Sequence, residues 1–514
     1  MIQVTIDTHP IEVEEGTTIL EAAQRLGINI PTLCHHPALE PYGACRLCTV
    51  EITQDGRSRL VTSCNYPIRQ EIEVQTASEK VVKGRKLLAE LLLARCPNVP
   101  KVQELAASLG VTQVRFEPHD ELCYLCGLCV RVCRERIGQS AISFVGRGVD
   151  RQVGPPFLKF STDCIACGAC AFVCPTGAIQ LKDITDKEPR PLLSEFDMGL
   201  ARRGNIYIPF PQAVPKIPVI DREHCLHYTL GRCETCEVFC QAKAINYDQE
   251  DEFLDLDADA IIVATGFDLI DPRTKPEFGY GVYPNVLTGL EFERLSSASG
   301  PTMGEIIVNG RKPKEVVFIH CVGSRDPHTG VPYCSRVCCM YTAKHAHLVR
   351  DKLPEANITA FYMDVRAFGK GYEEFYDRVK HERILYRRGE PSEVYKRGDR
   401  LVVRAEDTLL RKSIEVEADM IVLATAVTPR ADTAAMATLL GIERSPDGFF
   451  QEAHPKFRPV ESTSPNIFLA GCCQGPKDIP DSVAQAIGAA AKALALVTRG
   501  EAGAPAEAVA AVGD

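Results

Sequence analysis

Chemistry concentrates at cysteine in this chain: 23 of its 514 residues are cysteines, and 20 of those fall into five groups of four. Cys34, Cys45, Cys48 and Cys64 read Cys-x10-Cys-x2-Cys-x15-Cys. Thiolates are soft, strongly donating ligands that suit iron, and a tight loop lets three of them converge from one side. Zinc usually takes two close pairs of ligands, which the long first gap does not supply, so a 2Fe-2S site is expected. Cys123, Cys126, Cys129 and Cys133, then Cys164, Cys167, Cys170 and Cys174 before Pro175, each read Cys-x2-Cys-x2-Cys-x3-Cys. In that run the fourth cysteine ligates the other set's cluster. Two 4Fe-4S clusters are therefore expected, one on Cys123, Cys126, Cys129 and Cys174, the other on Cys164, Cys167, Cys170 and Cys133. Gly127 and Gly168 permit the sharp turns that aim backbone N–H groups at sulfur.

Two further groups are less regular. Cys225, Cys233, Cys236 and Cys240 are spaced x7, x2 and x3; zinc and a third 4Fe-4S cluster both fit, and the company of the other groups favours iron. Cys321, Cys334, Cys338 and Cys339 include an adjacent pair, which reaches one cluster only if the backbone bends between them. Spacing alone leaves a cluster, redox-active thiols and buried small residues all open there. Cys96, Cys472 and Cys473 remain, with an apolar buried role as the default. His35, His36 and His320 read as hydrogen-bonded structural histidines.

The elements that must hold these groups follow from the patterning. Gln3 to Asp7 alternates as a strand, a second short strand lies at Ile11 to Val13, and Thr18 caps the amphipathic segment ILEAAQRLG. Strand, strand, helix and cysteine loop is the order of a β-grasp ferredoxin. Module boundaries are expected at 1–80 for this 2Fe-2S unit, 81–115 for a helical linker, 116–185 for the double-cluster unit, and 186–245 for a proline-rich linker with the third motif. From 246 to 500, short apolar strands (Ala260–Thr265, Glu315–His320, Ile358–Met363, Met420–Thr425, Ile467–Ala470) alternate with helical segments, the mark of a doubly wound parallel sheet. Residues 501–514 are expected to be disordered. The fold class is thus multidomain, α+β and α/β.

A formal charge of −10 speaks against nucleic acid as partner, because a phosphate backbone attracts basic surfaces. The amino terminus has no secretory signature, and the most apolar stretches fall short of the roughly 18–20 residues a membrane span needs. A cytoplasmic location with reduced thiols is expected. No Gly-x-Gly-x-x-Gly and no Gly-x4-Gly-Lys-Ser/Thr occurs, so a phosphate-cradling turn is missing.

Residues 1 to about 185 resemble the amino-terminal electron-transfer region shared by iron-only hydrogenases, the large iron-sulfur subunit of NADH dehydrogenase and NAD-linked formate dehydrogenases. The blocks LCHHPALEPYGACRLCTVEI, CYLCGLCVRVCRERIGQSAISFVGRG and CIACGACAFVCPTGAI carry the resemblance. That family places a further cluster, held by one histidine and three cysteines, between the two modules. Here the matching stretch LLLARCPNVPKVQELAASLGV keeps one cysteine and no histidine, so that cluster is expected to be lost, with Cys96 its relic.

Residues from about 195 to 498 look like the carboxy-terminal portion of the A subunit of heterodisulfide reductase, through IIVATGFDLIDP, GLEFERL, FIHCVGSRD, YCSRVCCMYTAKHA, MDVRAFGKGYEEFY and LAGCCQGPKDIPDSVAQA. The resemblance implies a thioredoxin-reductase-like, flavin- and cluster-bearing hub, and makes Cys321, Cys334, Cys338 and Cys339 ligands of a 4Fe-4S cluster. It puts Lys344 near the flavin ring, with Glu291 in a block close to it. Ala264, Thr265, Gly266 and Phe267, the return block ending at Gly471, and Lys477, Asp478, Ile479 and Ser482 look like what remains of an FAD site. Family members precede this region with a glycine-rich βαβ unit that holds the FAD pyrophosphate at a helix N-terminus; here the ferredoxin-like modules stand in its place. Two explanations compete: a partner chain supplies the βαβ unit and FAD lies at the seam, or flavin is gone and the domain is a docking scaffold. The first is favoured by the survival of Lys344 and of the block around Asp478.

The resulting expectation is an iron-sulfur electron-transfer subunit of a multi-subunit, heterodisulfide-reductase-like oxidoreductase, of the flavin-based, electron-bifurcating kind. Its partners would be heterodisulfide reductase B/C-like subunits, a chain supplying the βαβ unit, and a hydrogenase-, formate- or NADH-oxidising module. The alternatives are a flavin-free wiring protein and an electron-transfer component serving a hydrogenase or formate dehydrogenase.

Overall fold

The computed structural model describes residues 1–240 and 242–498; the expectation for 501–514 lies outside them. The chain divides into two units, one of Met1–Leu192 with Gly204–Asp251, the other of Leu193–Arg203 with the chain from Glu252 onward. The stretch between the double-cluster module and the third cysteine motif is thus shared. Residues 193–203 join the second unit, where Leu200 packs into the core and Asp197 pairs with Arg294 at 2.8 Å.

In the first unit a five-stranded sheet has the order His9–Val13, Ile2–Ile6, Ile72–Gln75, Thr49–Gln54, Arg57–Thr62. Only Ile2–Ile6 and Ile72–Gln75 run parallel. Alternation sends Val4, Ile6, Val50, Ile52 and Val74 into a core shared with Ile19, Leu20, Ala22 and Ala23 of the helix Ile19–Arg25. A capping box starts that helix: Thr18 Oγ1 accepts from the Glu21 N–H at 3.2 Å, and the Thr18 N–H donates to the Glu21 carboxylate at 2.8 Å. Such a cap stabilises by roughly 0.5–2 kcal/mol. Helices Glu79–Arg95 and Pro100–Ser108 follow, with Cys96 fully buried at the turn between them.

The double-cluster region has little regular structure. Two one-turn helices, Leu128–Arg131 and Ala169–Val173, open behind Gly127 (φ +73°) and Gly168 (φ +76°). A Cβ on Gly127 would also stand 3.0 Å from the Phe144 ring. The third motif sits on the short helices Leu226–Leu230 and Thr235–Phe239.

In the second unit a wholly parallel sheet has the order Val286–Thr288, Met420–Thr425, Glu315–Val322, Asn357–Tyr362, Ile384–Arg388. Its central strands read as unbroken apolar runs because both faces are covered. Helices Gly289–Ser296, Cys338–Lys352 and Tyr372–Lys380 contribute Phe292, Leu295, Ala343, Ala346, Val349 and Val379 to one core. The antiparallel strands Pro391–Arg397, Arg400–Asp407 and Lys412–Ala418 contribute to the other. The single strand series read from the sequence is split: Ile261–Val263 and Ile467–Leu469 pair in parallel in a separate sheet with Arg458–Ser462 and Glu452–His454. Apolar runs mark strands without marking partners, and the crossing pair Asp268–Leu269 with Val427–Thr428 joins the two sheets. Helix Ile479–Thr498 covers one face of the second sheet through Ala489, Ala493 and Leu496. Among the described residues no helix is long and apolar enough to cross a membrane.

Candidate cluster sites and a cationic cavity

The first cysteine group folds as two pairs. Cys34 and Cys45 sulfurs lie 3.4 Å apart, and the Cys45 N–H donates to Cys34 Sγ at 3.4 Å; Cys48 hydrogen-bonds Cys64. Accepting its partner's S–H pulls Cys45 and Cys48 down, while Cys34 and Cys64 are pushed up as the donors. Buried Arg85 donates to the carbonyls of Leu47 (2.9 Å) and Thr49 (2.8 Å), tying the following helix to this loop. Arg131, from the double-cluster region, is also buried and donates to the carbonyls of Cys34 (2.9 Å) and Glu40, with Glu135 at 3.3 Å.

Cys123, Cys126, Cys129 and Cys174 line one cavity of about 170 Å³. Cys133, Cys164, Cys167 and Cys170 line another of about 20 Å³. Each fourth cysteine of a motif thus stands with the other motif's three. Leu125 (φ +57°) and Ala166 (φ +56°) occupy the same position in the two motifs, both in the left-handed region. That conformation costs roughly 1–2 kcal/mol per residue and turns backbone N–H groups toward sulfur, as Ala166 N–H to Cys164 Sγ at 3.4 Å. Such a nest suits an anionic group. Burial pushes Cys129 up to about 12 and Cys170 up to about 11, whereas hydrogen bonds from the Thr176 hydroxyl and nearby backbone outweigh burial and pull Cys174 down.

In the third motif Cys225, Cys233 and Cys236 gather about Tyr247, whose hydroxyl meets Cys236 Sγ at 2.8 Å and whose ring stacks on His227 at 3.8 Å. Cys240 Sγ accepts the Ala244 N–H at 3.3 Å. In the second unit Cys321, Cys338 and Cys339 form one buried set with Ala424, packed by Tyr341. Cys321, at the end of strand Glu315–Val322, is in the left-handed region (φ +57°), and Cys338 and Cys339 open the helix Cys338–Lys352. That is how adjacent cysteines both face one place. Cys334 Sγ accepts the Arg336 N–H at 3.4 Å. Unlike the hydrogen-bonded histidine expected, His320 is buried with neither ring nitrogen hydrogen-bonded to oxygen or nitrogen among the described residues; its imidazole helps pull the neighbouring Cys339 thiol down, after the larger pull of the Cys338 S–H. His36 Nδ1 accepts the Ala38 N–H at 3.3 Å, and burial lowers both His35 and His36.

Among the described residues no three His, Cys, Asp or Glu side chains converge tightly enough to grip a single ion. A sulfide-bridged cluster sets its thiolates at separate corners around a core, and thiols around a cavity fit that demand better than they fit zinc.

Beside the sulfur set of the second unit lies a cavity of about 690 Å³ that brings together Lys344, Lys477, Asp478 and Ile479. Its other cations, Arg336, Arg366 and Lys370, and its rings, Tyr341, Phe368, Tyr372 and Phe375, escape the sequence reading. Lys344 Nζ meets Glu293 at 2.6 Å, and His345 Nε2 meets the same carboxylate oxygen at 2.7 Å; His345 first, then Lys344, hold Glu293 down to about 2. Burial pushes Lys477 down. Glu291 is absent from this cavity. It accepts the Thr288 N–H at 2.6 Å as the capping box of helix Gly289–Ser296 and takes the Tyr280 hydroxyl at 2.8 Å. The carboxylate beside Lys344 is Glu293, one half-turn further on. Ala264 to Phe267 and Gly471 also stand outside the cavity lining, at the ends of the parallel pair Ile261–Val263 and Ile467–Leu469. Gly266 and Gly471 have φ +81° and +75°, and Ser482 lies alongside Gly471, whose N–H donates to Gln485 at 2.8 Å.

A 2Fe-2S iron-sulfur cluster binding domain matches residues 1–79, and a 4Fe-4S dicluster domain matches residues 122–178 and again 163–244. The A subunit of the H(2):CoB-CoM heterodisulfide,ferredoxin reductase of Methanothermobacter thermautotrophicus is 47% identical over 66% of this chain and 49% of its own length. An iron-sulfur A subunit of the CoB–CoM heterodisulfide reductase of Methanopyrus kandleri is 51% identical over the same shares. An NAD+-reducing NiFe hydrogenase structure aligns at TM-score 0.30 and 30% identity, covering 37% of this chain and 90% of that one. The chain spans about half the length of the curated relatives it matches. Over about two thirds of its length the chain is similar to the A subunit of heterodisulfide reductase, and its amino-terminal part matches 2Fe-2S and 4Fe-4S ferredoxin-type domains.

Proposed function

We propose that the chain is an electron-transfer subunit of a cytoplasmic, multi-subunit, heterodisulfide-reductase-like oxidoreductase, and that it wires iron-sulfur clusters to a flavin. The carrying observation is the exchange of fourth cysteines between the two four-thiol cavities, an arrangement with no purpose in an apolar core. Cys123, Cys126, Cys129 and Cys174 hold one 4Fe-4S cluster, and Cys164, Cys167, Cys170 and Cys133 the next. The pairing of Cys34 with Cys45 and of Cys48 with Cys64 suits the two irons of a 2Fe-2S cluster, one pair to each. Cys225, Cys233, Cys236 and Cys240 hold a third 4Fe-4S cluster, and Cys321, Cys334, Cys338 and Cys339 a fourth.

The cationic, ring-lined cavity suits an anionic aromatic cofactor, and FAD is the reading that its size, charge and the resemblance support. A flavin exchanges two-electron and one-electron transfer, the junction on which electron bifurcation depends. Lys344 presents an ammonium there, and Tyr341 both lines the cavity and packs against the sulfur set of Cys321, Cys338 and Cys339. The missing glycine-rich turn makes the FAD site a shared one, completed by a βαβ unit of another chain. Strand Ile261–Val263 is the open edge of its sheet, with Ile261 and Ile262 exposed. The neighbouring helix exposes Ile479, Val483, Ile487 and Leu494. Heterodisulfide reductase B/C-like subunits and a hydrogenase-, formate- or NADH-oxidising module complete the assembly. The same missing turn favours the second reading, a flavin-free wiring protein.

The test is anaerobic isolation of the native complex with iron and flavin quantified. The proposal expects FAD released on denaturation, and the loss of the same 4Fe-4S EPR signal in Cys174→Ala as in Cys126→Ala. A flavin-free complex selects the second reading, and persistence of that signal in Cys174→Ala refutes the exchanged ligation.

A further inference from the structure

The two four-thiol cavities are near-copies in their turn geometry and differ at one position that matters chemically. Between the first and second cysteines, Cys123-Tyr124-Leu125-Cys126 faces Cys164-Ile165-Ala166-Cys167. Tyr124 and Ile165 each line the cavity of their own motif. Tyr124 is 7% exposed, and its hydroxyl has no hydrogen-bond partner among the described residues. An unpaired buried hydroxyl is costly, so the acceptor it faces decides what it is for.

Its surroundings offer sulfur. The ring packs into a core of Leu33, Leu47, Cys96, Val99 and Val102, with Cys45 and Cys126 at the margin. Leu33 and Leu47 adjoin Cys34 and Cys48 in sequence, so this ring stands where the 2Fe-2S thiols meet the first 4Fe-4S thiols. Cys123, Cys126, Cys129 and Cys174 line the same cavity as Tyr124, whereas of the 2Fe-2S thiols only Cys45 borders its ring. A thiol is a weak acceptor; a thiolate or sulfide bound to iron is a strong one.

We infer that Tyr124 is a positioning residue for the 4Fe-4S site of Cys123, Cys126, Cys129 and Cys174, its hydroxyl donating to that site's sulfur and raising its reduction potential above that of the site beside Ile165. The inference rests on the cluster assignment proposed above. Reduction adds negative charge to the cluster, so a hydrogen bond to its sulfur stabilises the reduced form more than the oxidised one. An isoleucine at the matching place offers no such bond. The more oxidising site then adjoins the 2Fe-2S thiols, and electrons arriving there are held before they pass on.

The experiment is an EPR-monitored redox titration of the full chain reconstituted with iron and sulfide, comparing wild type with Tyr124→Phe and Ile165→Tyr. Cys126→Ala identifies the signal of the first site. Expected are unchanged iron content in Tyr124→Phe, a shift of that one signal to lower potential, and unmoved signals elsewhere. Ile165→Tyr shifts the second site upward. A purely structural tyrosine would leave every potential in place in Tyr124→Phe, and that result overturns the inference, as does a shift confined to the 2Fe-2S signal. If Cys126→Ala retains every wild-type signal, the cluster assignment itself falls.

Discussion

The charge of Lys344 is not free in the isolated chain, because Glu293 shares one oxygen between it and His345. Glu293 is held well below the ordinary carboxylate range, at about 2. A depressed carboxyl contributes stability that is fully present above its unfolded value, about 4.3, and is lost as pH falls toward 2. Unfolding of the wild type should therefore steepen its loss of stability across that window relative to Glu293→Gln. Parallel pH profiles of the two would refute the pairing. Half-exposure screens the pair, so the expected difference is about 1 kcal/mol or less. Replacing Lys344 by Ala removes a cation from the cavity wall, and a positive charge there favours a negative reduced flavin. The bound flavin of the assembled complex should then titrate at lower potential with iron content unchanged; an unmoved flavin titration denies Lys344 that role. The resemblance singled out Glu291 in GLEFERL, yet Thr288-Gly289-Leu290-Glu291 is a readable capping box. That signature takes Glu291 out of the site and leaves Glu293 for it.

Short elements placed by glycine and by buried arginine align the sulfur sites. Gly127 and Gly168 share a left-handed conformation, but only Gly127 also faces an aromatic ring at 3.0 Å, while Gly168 has Leu181 no nearer than 3.9 Å. Alanine at either position costs about 1 kcal/mol in strain. Gly127→Ala should cost more, through displacement of Phe144, and should release iron from the first site sooner under a chelator. Equal release rates would remove the steric part of the argument. Arg131 bridges elements more than 90 residues apart in sequence, from helix Leu128–Arg131 to the carbonyls of Cys34 and Glu40. Its replacement by Met leaves the carbonyls of Cys34 and Glu40 without their donor, a loss of about 1–3 kcal/mol, while Glu135 keeps Arg134 and the Glu40 N–H; the change is read as an earlier unfolding midpoint of the first unit. The cysteine spacings and the strand–strand–helix order were legible in the sequence because each is a local pattern. The cavity cations were not: Arg336 follows strand Glu315–Val322 while Arg366 and Lys370 follow strand Asn357–Tyr362, and they meet only because parallel strands deliver their carboxyl ends to one side.

At the scale of the whole molecule, the chain is two separately packed units. Sequence reading found the missing phosphate turn, because motifs and their absence are countable. It could not show that the strand beside the missing turn is left as an edge. A parallel sheet is normally buried on both sides, and an exposed apolar edge strand invites pairing. Here Ile261 and Ile262 are 41% and 43% exposed on such an edge, and Ile487 on the flanking helix is 65% exposed. If a second chain completes the flavin site, it adds its strand at Ile261–Val263 and lays its helix beside Ile479–Thr498. Ile262→Lys combined with Ile487→Glu should then leave the five cysteine groups, their iron and the folding midpoint of the isolated chain unchanged. In the assembled complex the same pair of changes should strip out both the partner and the flavin. Retention of flavin by that variant would mean that the chain holds FAD without help at this edge, and the shared-site proposal would fail.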